Sequence, residues 1–343
     1  MGGTTAIVTE AGGGGRRRFG RALLATVGLA LIVYLVRGAG PDRVARVLWQ
    51  AGSWLPAILL LEVVQLASDV VVLRMLLGDG AAEVPAVAWV RSSAIAYAMM
   101  ILVPAGRVAG EVARAAVLSA HIGPPRAATA STQLQAAYLF ANGTLSGVAC
   151  TVVCLWLGPR STLALLLAGN ALLMTAVSAG LLAILWHGRV GRWLEAVRQR
   201  FTRVVGPSIA AGPDRGRRLP WREAMVCSVS RCAQVVQYAV ILRAVGGIVT
   251  VRSAFVAHGI HLVGATLGDM IPNQLGVLDG AYRTFAADLG FGNDPARALS
   301  IAFVVHIAQL LCASGCIVAA AITARAEPAV EAAPASARAD ARS

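Results

Sequence analysis

Apolar residues run along this chain in long blocks, separated by short stretches that carry arginine, glycine and proline. This is neither the alternation of a half-buried strand nor the narrow stripe of a soluble amphipathic helix. Six blocks, at residues 19–36, 54–77, 127–157, 162–186, 224–245 and 298–323, approach or exceed the roughly 20 residues that a helix needs to span a bilayer. They predict six full membrane-spanning helices. Two further apolar stretches, 84–103 and 253–271, run into a proline, Pro104 and Pro272, and then into charged residues.

Arginine placement orients the spans. The segment 188–221 carries Arg189, Arg192, Arg198, Arg200, Arg203, Arg215, Arg217 and Arg218 against Glu195 and Asp214, and reads as a cytoplasmic loop. The Arg16-Arg17-Arg18 cluster reads as cytoplasmic too, so an even number of crossings must separate them. Four spans already do so. The remaining stretch, from residue 84 to 123, must then enter and leave the membrane on the cytoplasmic side, as a re-entrant hairpin broken near Pro104. After the loop the same count makes 253–290 a second re-entrant hairpin, broken at Pro272 and entering from outside, and it leaves Arg325 inside. Arg37, Arg43 and Arg46 fall on the outer side, where an interfacial helix over 41–53 is expected to turn Val44, Val47, Leu48 and Trp49 to lipid.

The fold class that follows is an all-α polytopic membrane protein. Its six full spans and two proline-broken hairpins form an inverted repeat, about 19–158 and 159–325, each half reading span, span, hairpin, span. Residues 1–18 and 326–343 read as disordered cytoplasmic ends around one transmembrane domain, 19–325. The two breaks also resemble each other. Pro104-Ala-Gly-Arg-Val-Ala-Gly-Glu111-Val-Ala-Arg114 and Pro272-Asn-Gln-Leu-Gly-Val-Leu-Asp279-Gly-Ala-Tyr-Arg283 both place a carboxylate seven residues after the proline and an arginine three or four later. The segments close on Ile122-Gly123 and Leu289-Gly290. Repeats of this kind recur in secondary transporters, with substrate sites near the bilayer midplane where broken helices meet.

Composition fits. The chain is 57% hydrophobic and 14% charged, against about 45–50% apolar and 25% charged in soluble domains. The net charge of +13 would suggest nucleic acid in a soluble protein, but here the basic residues, all arginine, sit mainly beside spans, so no nucleic-acid partner is expected. The first apolar block follows four arginines without a small-residue cleavage site and reads as a retained span. Cys150, Cys154, Cys227, Cys232, Cys312 and Cys316 lie in spans without a CxxC pair and read as packing residues. His258 and His261 share a helical face near Asp269 without an evident third ligand. No metal or cofactor is expected.

Chemistry concentrates at the breaks. Proline interrupts the helical ladder, and Gly106, Gly110, Gly276 and Gly280 allow unusual dihedrals and close backbone approach. Broken backbone at membrane depth is tolerated inside protein or beside a water-filled cavity, so both breaks are expected to line one. Intramembrane charge is costly and functional by default. Glu111 with Arg114, and Asp279 with Arg283, have spacings that let each pair meet on one face. Such pairs either lock their hairpins or contact a polar substrate group. Glu62, Gln65 and Asp69 in the second span, and Arg231, Gln234 and Gln237 in its counterpart, share helical faces; Glu62, Asp69 and Arg231 are the candidates for a cavity wall or proton relay.

The runs Pro104-x-Gly-Arg107-x-x-Gly110-Glu111-x-x-Arg114 and Pro272-x-x-x-Gly276-x-x-Asp279-Gly280 resemble the two signatures of the lysylphosphatidylglycerol synthase transmembrane-region family, over roughly residues 17–325. That family includes the multispan part of bacterial aminoacyl-phosphatidylglycerol synthase/flippases and hopanoid-associated membrane proteins. Asn273 and Gln274 after the second proline, and aspartate at 279 where glutamate is more usual, depart from the common pattern, and the asparagine resembles versions in the hopanoid-associated subgroup. The resemblance implies a protein of the bacterial cytoplasmic membrane that moves an amphiphilic lipid between leaflets, without aminoacyl transfer. Arg107, Arg114 and Arg283 would hold an anionic group, and Glu111 and Asp279 would hold a cationic one or set the arginine geometry, with Asn273 and Gln274 beside them. Membrane lipids are the expected partners, with anionic-lipid contact through 188–221. Two alternatives are a non-transporting subunit working with lipid-biosynthesis enzymes and an intramembrane enzyme acting on lipid headgroups.

Overall fold

The computed structural model describes residues 30–186, 221–292 and 294–331, with side chains as far as residue 325. Regular structure among these residues is helical: α1 (Ala30–Ala39), α2 (Pro41–Ala51), α3 (Leu55–Leu77), α4 (Ala86–Leu102), α5 (Gly106–Ile122), α6 (Pro124–Leu157), α7 (Thr162–Trp186), α8 (Trp221–Ala244), α9 (Val251–Gly268), α10 (Val277–Thr284) and α11 (Pro295–Glu331). Five stretches are long and apolar enough to cross a membrane: Pro41–Glu83, Pro124–Leu157, Thr162–Leu185, Trp221–Ala244 and Pro295–Arg325. They contain five of the six expected spans. Most of the sixth, 19–36, lies outside the described residues, as do both chain ends and nearly all of the basic segment 188–221.

The distribution of polarity is that of a protein solvated by lipid. Along α3, Leu60, Val63, Val64 and Val71 are exposed, while Glu62 is buried. Gln234, Gln237, His258 and His261 are buried as well, and Leu172, Leu173, Ile317 and Val318 face out. In water this arrangement would forfeit apolar burial and desolvate polar groups together. In hydrocarbon it is the stable one, because polar side chains find their partners inside the bundle.

Local sequence accounts for the boundaries. Pro124 and Pro295 stand at the first position of α6 and α11, where the missing N–H would have had no helical partner. Thr250 caps α9 by accepting from the Ser253 N–H at 3.0 Å, while Ser253 Oγ accepts from the Thr250 N–H at 2.8 Å. Gly123 and Gly290, which close the two broken segments, adopt left-handed φ values of 79° and 81°.

Each broken segment folds as an antiparallel helical hairpin. In the first, α4 and α5 touch at Gly106 and Gly110. A Cβ at Gly110 would stand 2.6 Å from the Ala96 carbonyl oxygen, and one at Gly106 would collide with that of Met100. In the second, Gly264 of α9 faces Leu278 of α10, and the Tyr282 hydroxyl donates to the Ala257 carbonyl at 2.9 Å. The first hairpin has arms of 17 and 17 residues, the second of 18 and only 8. One apolar cluster, including Ile58, Leu167, Tyr238, Ile260, Leu278 and Tyr282, seats the second hairpin against α3, α7 and α8. Another, with Val72, Leu73, Trp89, Leu118 and Leu134, seats the first against α3 and α6.

The interhelical contacts come in matched sets. Helix α3 packs on α8; α4 lies against α11 as α9 lies against α6; α5 lies against α6 as α10 lies against α11. Two local expectations need correction. The helix expected over 41–53 forms as α2, but Val44 is buried against Leu299 and Ala296 of α11 rather than turned to lipid, because α2 docks on that helix; Trp49 remains 89% exposed. Gly280 has open space where a Cβ would stand and makes no close approach, since it lies on the side of α10 away from α9.

Candidate functional site

A cavity of about 120 Å³ lies between the two hairpins, walled by α3, α4, α5, α6, α8, α9 and α11. It has room for several waters, each needing about 10–15 Å³. Both proline breaks contribute to it. Backbone strain marks them: the residue after each proline has a left-handed φ, 51° at Ala105 and 49° at Asn273, and Gln274 follows at 55°. Asparagine tolerates this region, whereas alanine and glutamine do so at a steric cost.

Of the predicted site residues, Glu62, Asp69, Arg107, Glu111, Arg114, Arg231, Asn273 and Gln274 line this one cavity. Arg114 is its organising cation. Its side chain is 4% exposed; Nη2 reaches Asp69 at 3.2 Å and Nε reaches Glu111 at 3.3 Å, so the expected i,i+3 pair forms and extends to α3. Asp69 also accepts from the Tyr138 hydroxyl of α6. Arg107, at the start of α5, meets Asp269 at 3.4 Å, just past the end of α9, and so joins one break to the other across the cavity.

The opposite wall is α3 against α8. Glu62 accepts from the Tyr97 hydroxyl and from Gln237 Nε2, each at 3.0 Å, and Gln65 donates to Gln237 Oε1 at 3.0 Å. Arg231 lies over the Tyr138 ring, 4.7 Å from its centre, and donates to Gln234 Oε1 at 2.8 Å. Gln234 Oε1 is also 3.1 Å from His258 Nε2, so the histidine is engaged with the wall. These polar groups hold one another in a region where water is scarce, which fixes their geometry.

Asp279 and Arg283 stand elsewhere, and this corrects the expectation that they share the cavity and pair. Helix α10 begins only at Val277, so Asp279 falls in its first turn. There its Oδ2 accepts from the Gly276 N–H at 2.8 Å and lies 3.2 Å from His306 Nε2. A carboxylate at a helix N-terminus meets free N–H groups and the positive end of the helix dipole, and that outweighs an i,i+4 ion pair. Gly276, at φ 82°, supplies the turn that makes this possible. The Arg283 guanidinium is directed instead at Gly38, within 3.1 Å of where a Cβ would stand. Gly106 takes a helical conformation and serves close approach; the left-handed residue of the first break is Ala105.

Tyr97, Tyr138, Gln135 and Gln309 complete the lining without having been singled out from the sequence. Their signal was present: Gln135 and Tyr138, like His306 and Gln309, are polar residues three apart inside apolar spans. Asp269 was noticed only as a neighbour of two histidines.

An apolar exterior, helices of spanning length and a charged cavity closed by two broken hairpins define a multi-pass membrane protein with an internal polar site. Within that class, the chain belongs to the family of the lysylphosphatidylglycerol synthase TM region, whose model matches residues 21–315. No curated protein and no solved structure gives a match.

Proposed function

We propose that this chain is a flippase-like transporter that moves an amphiphilic lipid between leaflets, the headgroup passing through the cavity while the acyl chains stay in the bilayer. The observation that carries this reading is the Arg107–Asp269 contact. It joins the two breaks over a cavity lined by charge, where a latch between hairpins would control access. Membership of a family named for a lipid synthase's membrane region supports a lipid as substrate, an aminoacylated phospholipid or an isoprenoid-type lipid such as a hopanoid. The protein acts without catalysis in this reading, in the bacterial cytoplasmic membrane, with both termini and the basic 188–221 loop on the cytoplasmic side.

The topology belongs to the same proposal: six spans and two re-entrant hairpins as an inverted repeat. The matched contacts between the halves support it, as does the antiparallel pairing of α3 with α8. Gln237 meets Ile58, Glu62 and Gln65, while Arg231 stacks on the tyrosine that binds Asp69. An inverted repeat gives two near-equivalent states by rocking one half on the other.

The test is lipid movement in reconstituted liposomes. Fluorescent phospholipid in the inner leaflet is followed by its exposure to a membrane-impermeant quencher, for wild type, Glu111→Ala and Arg107→Ala at matched insertion. Wild type is expected to exceed protein-free liposomes, with both variants reduced at least about tenfold, the scale of a lost charge-assisted contact. Equal movement in all three rejects the cavity as the route. No movement above protein-free liposomes favours the subunit reading.

A further inference from the structure

The cavity's charges do not all find partners within the protein. Arg107 is matched by Asp269, and Arg114 by Asp69 and Glu111. Arg231 is the lining arginine with no carboxylate within 4.0 Å among the described residues. Its Nη1 is committed to Gln234 and its flat face to Tyr138, but its Nε is buried without an acceptor. The edge left over is the Nε/Nη2 fork, the edge with which arginine grips two oxygens of one anion.

A second observation comes from the other half of the wall. Asn273, at the tip of the second break, is 6% exposed and lines the same cavity, yet neither its Nδ2 nor its Oδ1 has a partner. The neighbouring Gln274 Oε1 is also buried and unpartnered. Both residues are held at left-handed φ, so the fold accepts strain to present amides that nothing in the protein uses. Buried amides are almost always hydrogen-bonded, and an unsatisfied one inside a cavity leaves capacity that a ligand or an ordered water takes up.

We propose that Arg231 and Asn273 form a phosphate subsite. A lipid phosphate accepts from the Arg231 Nε/Nη2 edge and from Asn273 Nδ2, and two hydroxyls of the headgroup donate, one to Asn273 Oδ1 and one to Gln274 Oε1. This deepens the lipid-transport reading and rests on it. It selects a phosphate-bearing lipid over a phosphate-free isoprenoid, and it moves the anion-binding role from Arg107, Arg114 and Arg283 to Arg231.

Binding is measured separately from transport, on the purified full-length protein by native mass spectrometry in detergent. The probes are phosphatidylglycerol, diacylglycerol with the same acyl chains, the corresponding free fatty acid and inorganic phosphate. Wild type is expected to bind phosphatidylglycerol at least about tenfold more tightly than the other three. Arg231→Gln and the isosteric Asn273→Asp are each expected to lose about tenfold for phosphatidylglycerol alone. Arg231→Lys, which keeps the charge, recovers part of that loss and shows that the fold is intact. Unchanged phosphatidylglycerol binding in Arg231→Gln overturns the subsite. Equal binding of diacylglycerol or fatty acid by wild type overturns the phosphate assignment, and binding of inorganic phosphate with no preference for the lipid overturns the lipid source. A protein that binds phosphatidylglycerol through Arg231 but moves no lipid in liposomes removes the transport reading and leaves this one standing.

Discussion

Replacing Arg114 by alanine tests the electrostatics of the cavity most directly. The side chain is 4% exposed and bridges Asp69 and Glu111, themselves 21% and 19% exposed. Removing one member of a buried ion pair costs about 3–5 kcal/mol, most of it from the charge left without a partner. Here two carboxylates are left facing one another, partly wetted by the cavity, so about 3 kcal/mol of destabilisation is expected. Neutralising the carboxylates as Asp69→Asn and Glu111→Gln removes that term. In this background Arg114→Ala loses mainly the packing of its aliphatic stem, about 1 kcal/mol. The cycle therefore predicts a coupling of about 2 kcal/mol, measured by detergent-driven unfolding of purified protein in mixed micelles. If the substitutions add to within about 0.5 kcal/mol, as independent sites do, Arg114 does not hold the two carboxylates together, and the site's central contact is wrong.

Two further outcomes follow from the hairpins. Gly110→Ala places a methyl 2.6 Å from the Ala96 carbonyl oxygen and is expected to destabilise by about 1–3 kcal/mol through overpacking of α4 on α5. Gly280→Ala meets open space on a helix and is expected to stabilise by about 0.5–1 kcal/mol, so thermal melting of the two variants should move in opposite directions. For the contact between breaks, Asp269→Arg should reduce lipid movement in liposomes, and Arg107→Asp combined with Asp269→Arg should restore part of it. If the double variant is no better than the single one, the two side chains do not meet.

The elements were legible where one physical period dominated. Long apolar blocks gave the spans, and the prolines at 104 and 272 gave the breaks, because a missing donor and an interrupted ladder act locally. The convergence of Glu62, Asp69, Glu111, Arg114 and Arg231 was also foreshadowed, since charge at membrane depth has few places to go except inward. Contacts that depend on the docking of distant elements were not legible. Nothing near Asp269 in sequence says that Arg107 will meet it, and the amphipathic pattern of 41–53 is equally compatible with lipid and with the α11 surface that Val44 covers. Tyr97 and Tyr138 escaped because tyrosine in an apolar block resembles an interfacial anchor until a carboxylate is placed against its hydroxyl.

The two breaks also show how one sequence pattern acquires two fates. Proline, then a carboxylate seven residues on, then arginine, recurs in both. After Pro104 the helix restarts at once, at Gly106, so Glu111 lies in its second turn, where the backbone N–H groups are already used. Its carboxylate is left for Arg114 and the cavity. After Pro272 the chain spends four residues in a tight turn and an extended step before α10 begins at Val277, so the same offset delivers Asp279 to the first turn, where the Gly276 N–H captures it. Those extra residues place Asn273 and Gln274 at the cavity in its stead, with their amides unpartnered. The halves therefore contribute different chemistry to one site: the first hairpin brings a paired, charged network, and the second brings, beside the Asp269 that meets Arg107, neutral hydrogen-bonding groups with free capacity.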